Sequence, residues 1–180
     1  MTVELRPWRP ADAAALQLAA ATTPDLHLQL GGADLGTVAS CREFIHRVLL
    51  VDRSDVRNFA IAVDREAVGN VGLSNIERQH DTGWAHYWVA AQHQRRGLAT
   101  QGLNAVALWA FQDVGLYRLE LGHRVNNRSS CAVATRAGFA SEGVERCKLR
   151  YGHERFDVEL HARLVPDPTP DVPLLPVLHH

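Results

Sequence analysis

Apolar residues recur at every second position in some stretches of this chain and at every third or fourth in others. The change of rhythm divides it into elements. Val3 and Leu5 alternate with Thr2, Glu4 and Arg6 before Pro7 intervenes, which predicts a short first strand. Pro10 suits the first position of a helix, and ADAAALQLAAA continues it in strong helix formers. Residues 23–37 (TPDLHLQLGGADLGT) are broken by proline and glycine and read as a loop. Phe44, Ile45, Val48 and Leu49 then fall at helical spacing, predicting a short amphipathic helix. The runs 58–63, 67–76 and 84–90 are rich in β-formers and separated by turn residues, which predicts an antiparallel meander.

The second half is slower in rhythm at first. Leu103, Val106, Ala107, Ala110, Phe111 and Val114 mark one face of a helix that Gly115 stops. Leu119, Leu121, His123 and Val125 alternate with Arg118, Glu120, Gly122 and Arg124, so a strand follows. NNRSSCAVATRAGF opens on capping residues and closes near Gly138, the pattern of a short helix. Two more strands are expected near 142–150 and 154–164, the second with Phe156, Val158, Leu160, Ala162 and Leu164 on one face. The proline-rich stretch from Val165 onward reads as an extended or disordered tail (166–180) beyond a domain of residues 1–165. Its closing histidines, His179 and His180, read equally well as native or as a tag remnant and are kept out of the site. No internal repeat is visible. The sum is one α/β (α+β) domain with a mixed sheet.

Composition narrows the function. With 180 residues, 46% of them hydrophobic, the chain suits a single domain with a full core. A net charge of −1 gives no global field for nucleic acid or anionic lipid, so any anion binding must be local. The polar start lacks the apolar stretch of a signal peptide, and no apolar run approaches the ~20 residues of a membrane span. Cys41, Cys131 and Cys147 are odd in number and widely spaced, which suits reduced thiols. A cytoplasmic protein is expected, monomer or homodimer.

One local anion site stands out. HQRRGLAT (93–100) lies between the run YWVAA (87–91) and the helix that begins at Leu98. The first turn of a helix carries unpaired N–H groups and the positive end of the dipole, a ready site for a phosphate. Gly97 removes a Cβ that would block approach, and Ala99 keeps the next turn small. Arg95 and Arg96 add charge at the rim, and Thr100 a hydroxyl. The spacing matches neither the nucleotide P-loop nor the dinucleotide fingerprint. Gln94-Arg95-Arg96-Gly97-Leu98-Ala99 resembles the Q/R-x-x-G-x-G/A motif of the GNAT superfamily of acetyl-CoA-dependent N-acetyltransferases. The element order over residues 3–164 is similar to that fold. Tyr87-Trp88, Arg124-Val125, Asn127-x-x-Ser130, Ala132-Val133-Ala134, Gly138-Phe139, Glu142-Gly143, Asp157 and Ala162-Arg163-Leu164 fall in register with its RimL/RimJ-type branch, which acetylates protein N-termini.

The resemblance implies a central sheet of about seven strands, mostly antiparallel, with helices on both faces and a fourth strand splayed from the fifth. It implies acetyl-CoA as cosubstrate, held by Trp88, Val89, Gln94, Arg95, Arg96, Gly97, Leu98, Ala99, Thr100, Asn127 and Ser130. It also implies that the backbone N–H near Val89 faces the thioester carbonyl, and that Ser130 serves the departing sulfur. From its position alone Asn127 reads also as a plain N-cap.

The base is open. His86 stands where RimL-like sequences often carry glycine, on the strand face of Trp84 and Trp88, and a histidine of ordinary pKa accepts a proton from an α-amine. His86 reads equally as an ordinary sheet residue, Glu77 and Glu120 are alternatives, and an α-amine partly neutral near pH ~8 needs no strong base. The acceptor pocket is expected from the 23–37 loop, the second helix and the turn 148–156, whose Lys148, Arg150, His153 and Arg155 point to acidic acceptors or simply to a solvated hairpin. Cys131 lacks a histidine that sequence places beside it, and the ten histidines include no paired metal motif, so no metal is expected. Two other readings remain: an acetyltransferase for a small amine, and a non-catalytic acyl-CoA-binding module.

Overall fold

In the computed structural model, which describes residues 1–51 and 53–178, the alternating runs form seven strands. They are β1 (Val3–Arg6), β2 (Arg57–Val63), β3 (Glu66–Glu77), β4 (Thr82–Val89), β5 (Arg118–Arg124), β6 (Ala140–Tyr151) and β7 (Glu154–Leu164). One sheet holds them in the order β1-β2-β3-β4-β5-β7-β6. β4 and β5 run parallel, and every other pair of neighbours is antiparallel. The helices are α1 (Ala13–Thr22), α2 (Leu26–Gln29), α3 (Val38–Phe44), α4 (Leu98–Trp109) and α5 (Arg128–Arg136). This is the mixed α/β architecture predicted. His179 and His180 lie outside the described residues.

The two-residue period of the strands splits the core into two layers. Phe59, Ile61, Val71, Ala85 and Val89 face α4 and α5, and pack with Leu103, Val106, Ala134 and Phe139. Ala60, Ala67, Trp88 and Ala90 face the other way, toward Trp8, Leu16, Leu26, Ile45 and Leu49 from the α1–α3 layer. Consecutive residues of β4 therefore serve opposite layers: Tyr87 joins the first and Trp88 the second.

Several boundaries differ from the periodicity. Residues 23–37 contain the single helical turn α2, whose Leu26 is fully buried. One turn is too short for a period to register, and Pro24 conceals it. α3 and α4 each end in a wider π-type turn, Ile45–Leu49 after α3 and Ala110–Val114 after α4. Gly115, at φ +77°, ends the second. The proline-rich tail runs extended beside β1. Leu5 donates its N–H to Pro176 O and accepts from Leu178 N–H, while Leu175 enters the α4-side core. That contact covers the edge of the sheet that β1 would otherwise expose. Among the described residues, no helix is long and apolar enough to cross a membrane.

Two buried arginines tie the layers together. Arg163 of β7 donates to Asn104 Oδ1 on α4 (2.8 Å) and to Ala137 O at the end of α5 (3.0 Å). Arg6 of β1 makes a two-pronged pair with Asp12, at 2.8 Å on both oxygens, and also reaches Arg65 O. Removing one partner of such a pair strands a charge in the core. We expect Asp12→Ala to lower unfolding free energy by about 3–5 kcal/mol, read from the urea midpoint. A loss below about 1 kcal/mol would mean that the pair behaves as a surface one.

Candidate active site

β4 and β5 stay together for three register pairs only, Thr82↔Arg118, Gly83↔Leu119 and Trp84↔Glu120. Beyond Trp84 each strand keeps its outer neighbour and loses the inner one. The strands part, and a cleft of about 690 Å³ opens between them, floored by Tyr87, Trp88 and Val89. Its sides are the loop 93–97 with the start of α4, the start of α5, and residues Thr23, Pro24, Asp25 and Gln29 around α2.

The register fixes what β4 offers to this cleft. Ala90 N–H donates to Val68 O on β3. In an antiparallel ladder, donors that face the partner strand alternate with donors that face away. Val89, opposite Gly69, therefore turns its N–H and C=O away from β3, toward the cleft. Gln94 Nε2 occupies the carbonyl at 2.9 Å, leaving the N–H.

The loop that follows carries a second set of donors. Arg95 and Gly97 both have positive φ, +61° and +79°, and Arg96 between them does not. Such alternation turns successive N–H groups to one side, forming a nest for an anion. Gly97 is also the N-cap of α4, and no side chain caps the first turn. The leading N–H groups of a twelve-residue helix are thus left without an internal partner. A larger residue at 97 would be strained at that φ, and its Cβ would lie 3.2 Å from Gln101 Nε2.

On the opposite wall Asn127 caps α5, its Oδ1 accepting from Ser130 N–H at 3.0 Å. Ser130 Oγ lies 2.8 Å from Tyr87 Oη, and Tyr87 also donates to Ser130 O at 3.0 Å. Burial pushes the Tyr87 phenol up to about 12, with the nearby Cys131 adding to it and the Ser130 hydrogen bond opposing. Tyr87 is therefore a neutral donor at any physiological pH. Its proton, shared between Ser130 O and Ser130 Oγ, holds that side chain in place and leaves the Ser130 hydroxyl hydrogen free to turn to the cleft. Trp88 Nε1 and His93 Nδ1, both on the cleft wall, are buried and have no hydrogen-bond partner among the described residues. Buried polar atoms of that kind are expected to meet a ligand or water. An acidic, hydrogen-bonding ligand that enters like a strand, with its phosphates on the α4 nest, fits these donors.

The acetyltransferase (GNAT) domain model matches residues 2–140, most of the chain. The chain belongs to the GNAT acetyltransferase family. It is 31% identical over 118 residues to the ribosomal-protein-serine acetyltransferase of Escherichia coli, and the match spans 66% of each protein. Among solved structures it superposes on RimJ of Mycobacterium smegmatis in complex with CoA-disulfide with a TM-score of 0.73. That pair is 29% identical and covers 91% of this chain and 82% of the other. RimL, a ribosomal-protein alpha-N-acetyltransferase in complex with coenzyme A, gives a TM-score of 0.81 at 23% identity, covering 92% and 95%.

The GNAT cleft collects most of the residues singled out by sequence. Trp88, Val89, Gln94, Arg95, Gly97, Leu98, Ala99, Thr100, Asn127 and Ser130 all line it. Arg96 does not. None of residues 148–156 reaches the wall; Tyr151 instead packs under Arg124, whose guanidinium sits over the rings of Tyr151 and Phe156 at 5.4 and 5.1 Å. Arg124 lines the cleft and pairs with Asp25 at 3.5 Å, bridging the α2 side to the β6–β7 side. Glu77 caps the turn at His80 N–H, and Glu120 pairs with Arg118; neither reaches the cleft.

His86 is also outside the cleft lining. Its Nε2 lies 2.9 Å from Asn58 Oδ1, at the end of a chain in which Trp8 Nε1 donates to Asn70 Oδ1 and Asn70 Nδ2 to Asn58 Oδ1. Gly72 makes room for it: a Cβ there would lie 2.8 Å from Asn58 Oδ1 and 3.0 Å from His86 Nε2. Burial lowers the His86 pKa to about 4, against a smaller opposing pull from a hydrogen bond to the Trp84 backbone. Tyr87, one residue on, lines the cleft although its sequence context marks it only as part of the Tyr87-Trp88 pattern. The strand period sets it on the face opposite His86, and the packing of α5 makes that face the one that borders the cleft.

His86 yields a pH prediction. Between its folded pKa near 4 and an unfolded value near ~6.5, the unfolded chain binds more protons, so stability rises with pH across that window and is level above it. Replacing it by glutamine should flatten this part of the urea-midpoint curve. A wild-type curve already flat from pH 4 to 6.5, unchanged in His86→Gln, would contradict the burial argument.

Proposed function

We propose that the protein transfers the acetyl group of acetyl-CoA to the α-amine of a peptide or protein N-terminus, by direct attack while both substrates are bound. The observation that carries this reading is the Tyr87–Ser130 hydroxyl pair, which joins β4 to the start of α5 in the same cleft as Val89. The names of the relatives, which include a ribosomal-protein-serine acetyltransferase, favour a protein acceptor.

Acetyl-CoA supplies an acyl carbon already activated as a thioester. The α4 nest and Arg95 hold its pyrophosphate, with Gly97 allowing the backbone to approach. Val89 N–H donates to the carbonyl oxygen as negative charge builds there, a contribution that backbone donors make without reorganising. Ser130 Oγ, oriented by Tyr87 Oη, gives a hydrogen bond and then its proton to the departing sulfur, and regains one from solvent. The amine enters from the α2 side, where Asp25 and Arg124 form the rim and offer a carboxylate to its ammonium form. An α-amine of pKa ~7.7–8.0 is neutral often enough near pH 8 that water alone can take the proton. A cytoplasmic location suits both the cosubstrate and the free thiols Cys41, Cys131 and Cys147.

Thiol release from acetyl-CoA, measured over a panel of peptides with free or blocked N-termini and of small amines, tests the proposal. Release with serine-initiated peptides that stops when the N-terminus is blocked supports it. Release only with small amines would move the acceptor class. No release from any amine, with acetyl-CoA still raising the melting temperature, would leave a binding module.

The roles also separate by variant. Ser130→Ala should lower kcat by about 10²–10⁴ with acetyl-CoA affinity nearly unchanged, and Tyr87→Phe should lower it less. An unchanged kcat in Ser130→Ala removes the assignment. In calorimetry with CoA, Gly97→Val should weaken binding more than Arg95→Ala does; the opposite order would make side-chain charge, not backbone, the main anchor.

A further inference from the structure

Behind α5, on side chains that the acetyl transfer leaves unused, four metal-ligating groups converge. His123 comes from β5, Glu159 and His161 from β7, and Cys131 from the first turn of α5. One donor atom from each lies within 4.8 Å of all the others. His123 and His161 are buried, at 5% and 2% exposure, and Cys131 and Glu159 are half-buried, so the group is a built interior cluster.

The hydrogen bonds at the far side of each ring decide what the near side can do. His123 Nδ1 faces Arg124 O at 3.0 Å, and His161 Nδ1 faces Phe139 O at 3.2 Å. A carbonyl oxygen only accepts, so both Nδ1 atoms carry hydrogen, and in the neutral rings both Nε2 atoms present lone pairs. Those two Nε2 atoms stand 3.1 Å apart, facing each other. Two lone pairs at that distance repel unless something positive lies between them. Glu159 adds a carboxylate, Oε2 at 3.8 Å from His123 Nε2 and Oε1 at 3.7 Å from His161 Nε2, and Ser141 Oγ orients it with a 2.9 Å hydrogen bond.

We propose that His123, Cys131, Glu159 and His161 bind one divalent transition-metal ion of the zinc class. Two imidazole nitrogens bound tetrahedrally at ~2.0–2.1 Å stand roughly 3.3 Å apart, close to the separation the rings already have. The histidines carry the backbone-anchored N–H groups that orient metal-bound imidazoles, and the carboxylate carries its own hydrogen bond. One thiolate and one carboxylate balance a divalent charge, and a sulfur–nitrogen donor set selects zinc-like ions over magnesium or calcium. Binding removes the Cys131 thiol proton to solvent, so affinity rises with pH. The ion takes no part in acetyl transfer. It clips the first turn of α5 to β5 and β7, and because Cys131 follows Ser130 directly, it fixes the turn that carries the active-site hydroxyl.

The test uses the full chain without an added polyhistidine segment, freed of metal by dialysis against chelator and titrated with Co²⁺ and Zn²⁺. The proposal expects one equivalent of Co²⁺ to give visible bands of a tetrahedral ion with a near-ultraviolet thiolate charge-transfer band. It expects Zn²⁺ to displace the cobalt and to raise the melting temperature. Since His161→Ala would also hollow the core, the half-buried Cys131 carries the decisive variant. Cys131→Ser should lose the charge-transfer band and weaken binding by more than ~100-fold, beyond what loss of an outer-shell partner costs. Cys147→Ser, at an exposed thiol, should change neither. Overturning results are cobalt binding without a thiolate band, zinc affinity equal in Cys131→Ser and wild type, or a melting temperature indifferent to zinc. The last, without a cobalt spectrum, would mean that a shared proton sits between the two histidines.

Discussion

The separation of β4 from β5 after three paired residues is the constraint on which the rest depends. A continuous parallel pair would bury the backbone groups of Ala85–Val89 in a ladder, and the cleft would not exist. The indole of Trp84 lies where the strands diverge. It crosses β5 at Gly122, where a Cβ would come within 3.3 Å of the ring and 2.8 Å of Val158. β5 meanwhile keeps its full register with β7, so the divergence costs the sheet pairing on one edge only. β4 is likewise held along its length by β3. Two well-paired halves leaning apart give a rigid frame whose inner edges are unsatisfied by design of the topology.

From that frame the chemistry follows with few specialised side chains. The donors facing the cleft are largely main-chain: Val89 N–H and the leading amides of α4. Main-chain donors are fixed by register and helix geometry, so they are set before any ligand arrives. The side chains present act mostly by holding other groups. Gln94 occupies the Val89 carbonyl, Asn127 caps α5, and Tyr87 fixes Ser130. The half-buried tyrosine stays neutral, as a donor must, and the half-buried histidine next to it on β4 stays uncharged while tied into a chain of amides. Neighbouring residues on one strand thus serve the cleft wall and a structural layer.

What could be read in the sequence was what lies close along the chain. The strand and helix periods, the Gly97 loop and the capping pattern at Asn127 are local, and each has a physical signature within a few residues. Ser130 and Tyr87 are 43 residues apart, and only the fold brings them together. His86, one of the open candidates for the base, lies outside the cleft lining for a similar reason. Its strand face was legible, but which face borders the cleft depends on where α5 packs. The cluster His123, Cys131, Glu159 and His161 draws on three elements and so has no spacing motif to find. Arg124 and Asp25 meet across the cleft rim by the same long-range route.

The central claim is that the inner edge of β4 and the first turn of α4 receive acetyl-CoA as if it were an added strand capped by its phosphates. Amide hydrogen exchange, resolved by residue with and without acetyl-CoA, tests it most directly. The account predicts that Val89 and the amides of Leu98, Ala99 and Thr100 become markedly slower on binding, while the β6–β7 hairpin tip near Gly152 changes little. Unchanged exchange at Val89 and at the start of α4, with protection appearing elsewhere, would contradict it.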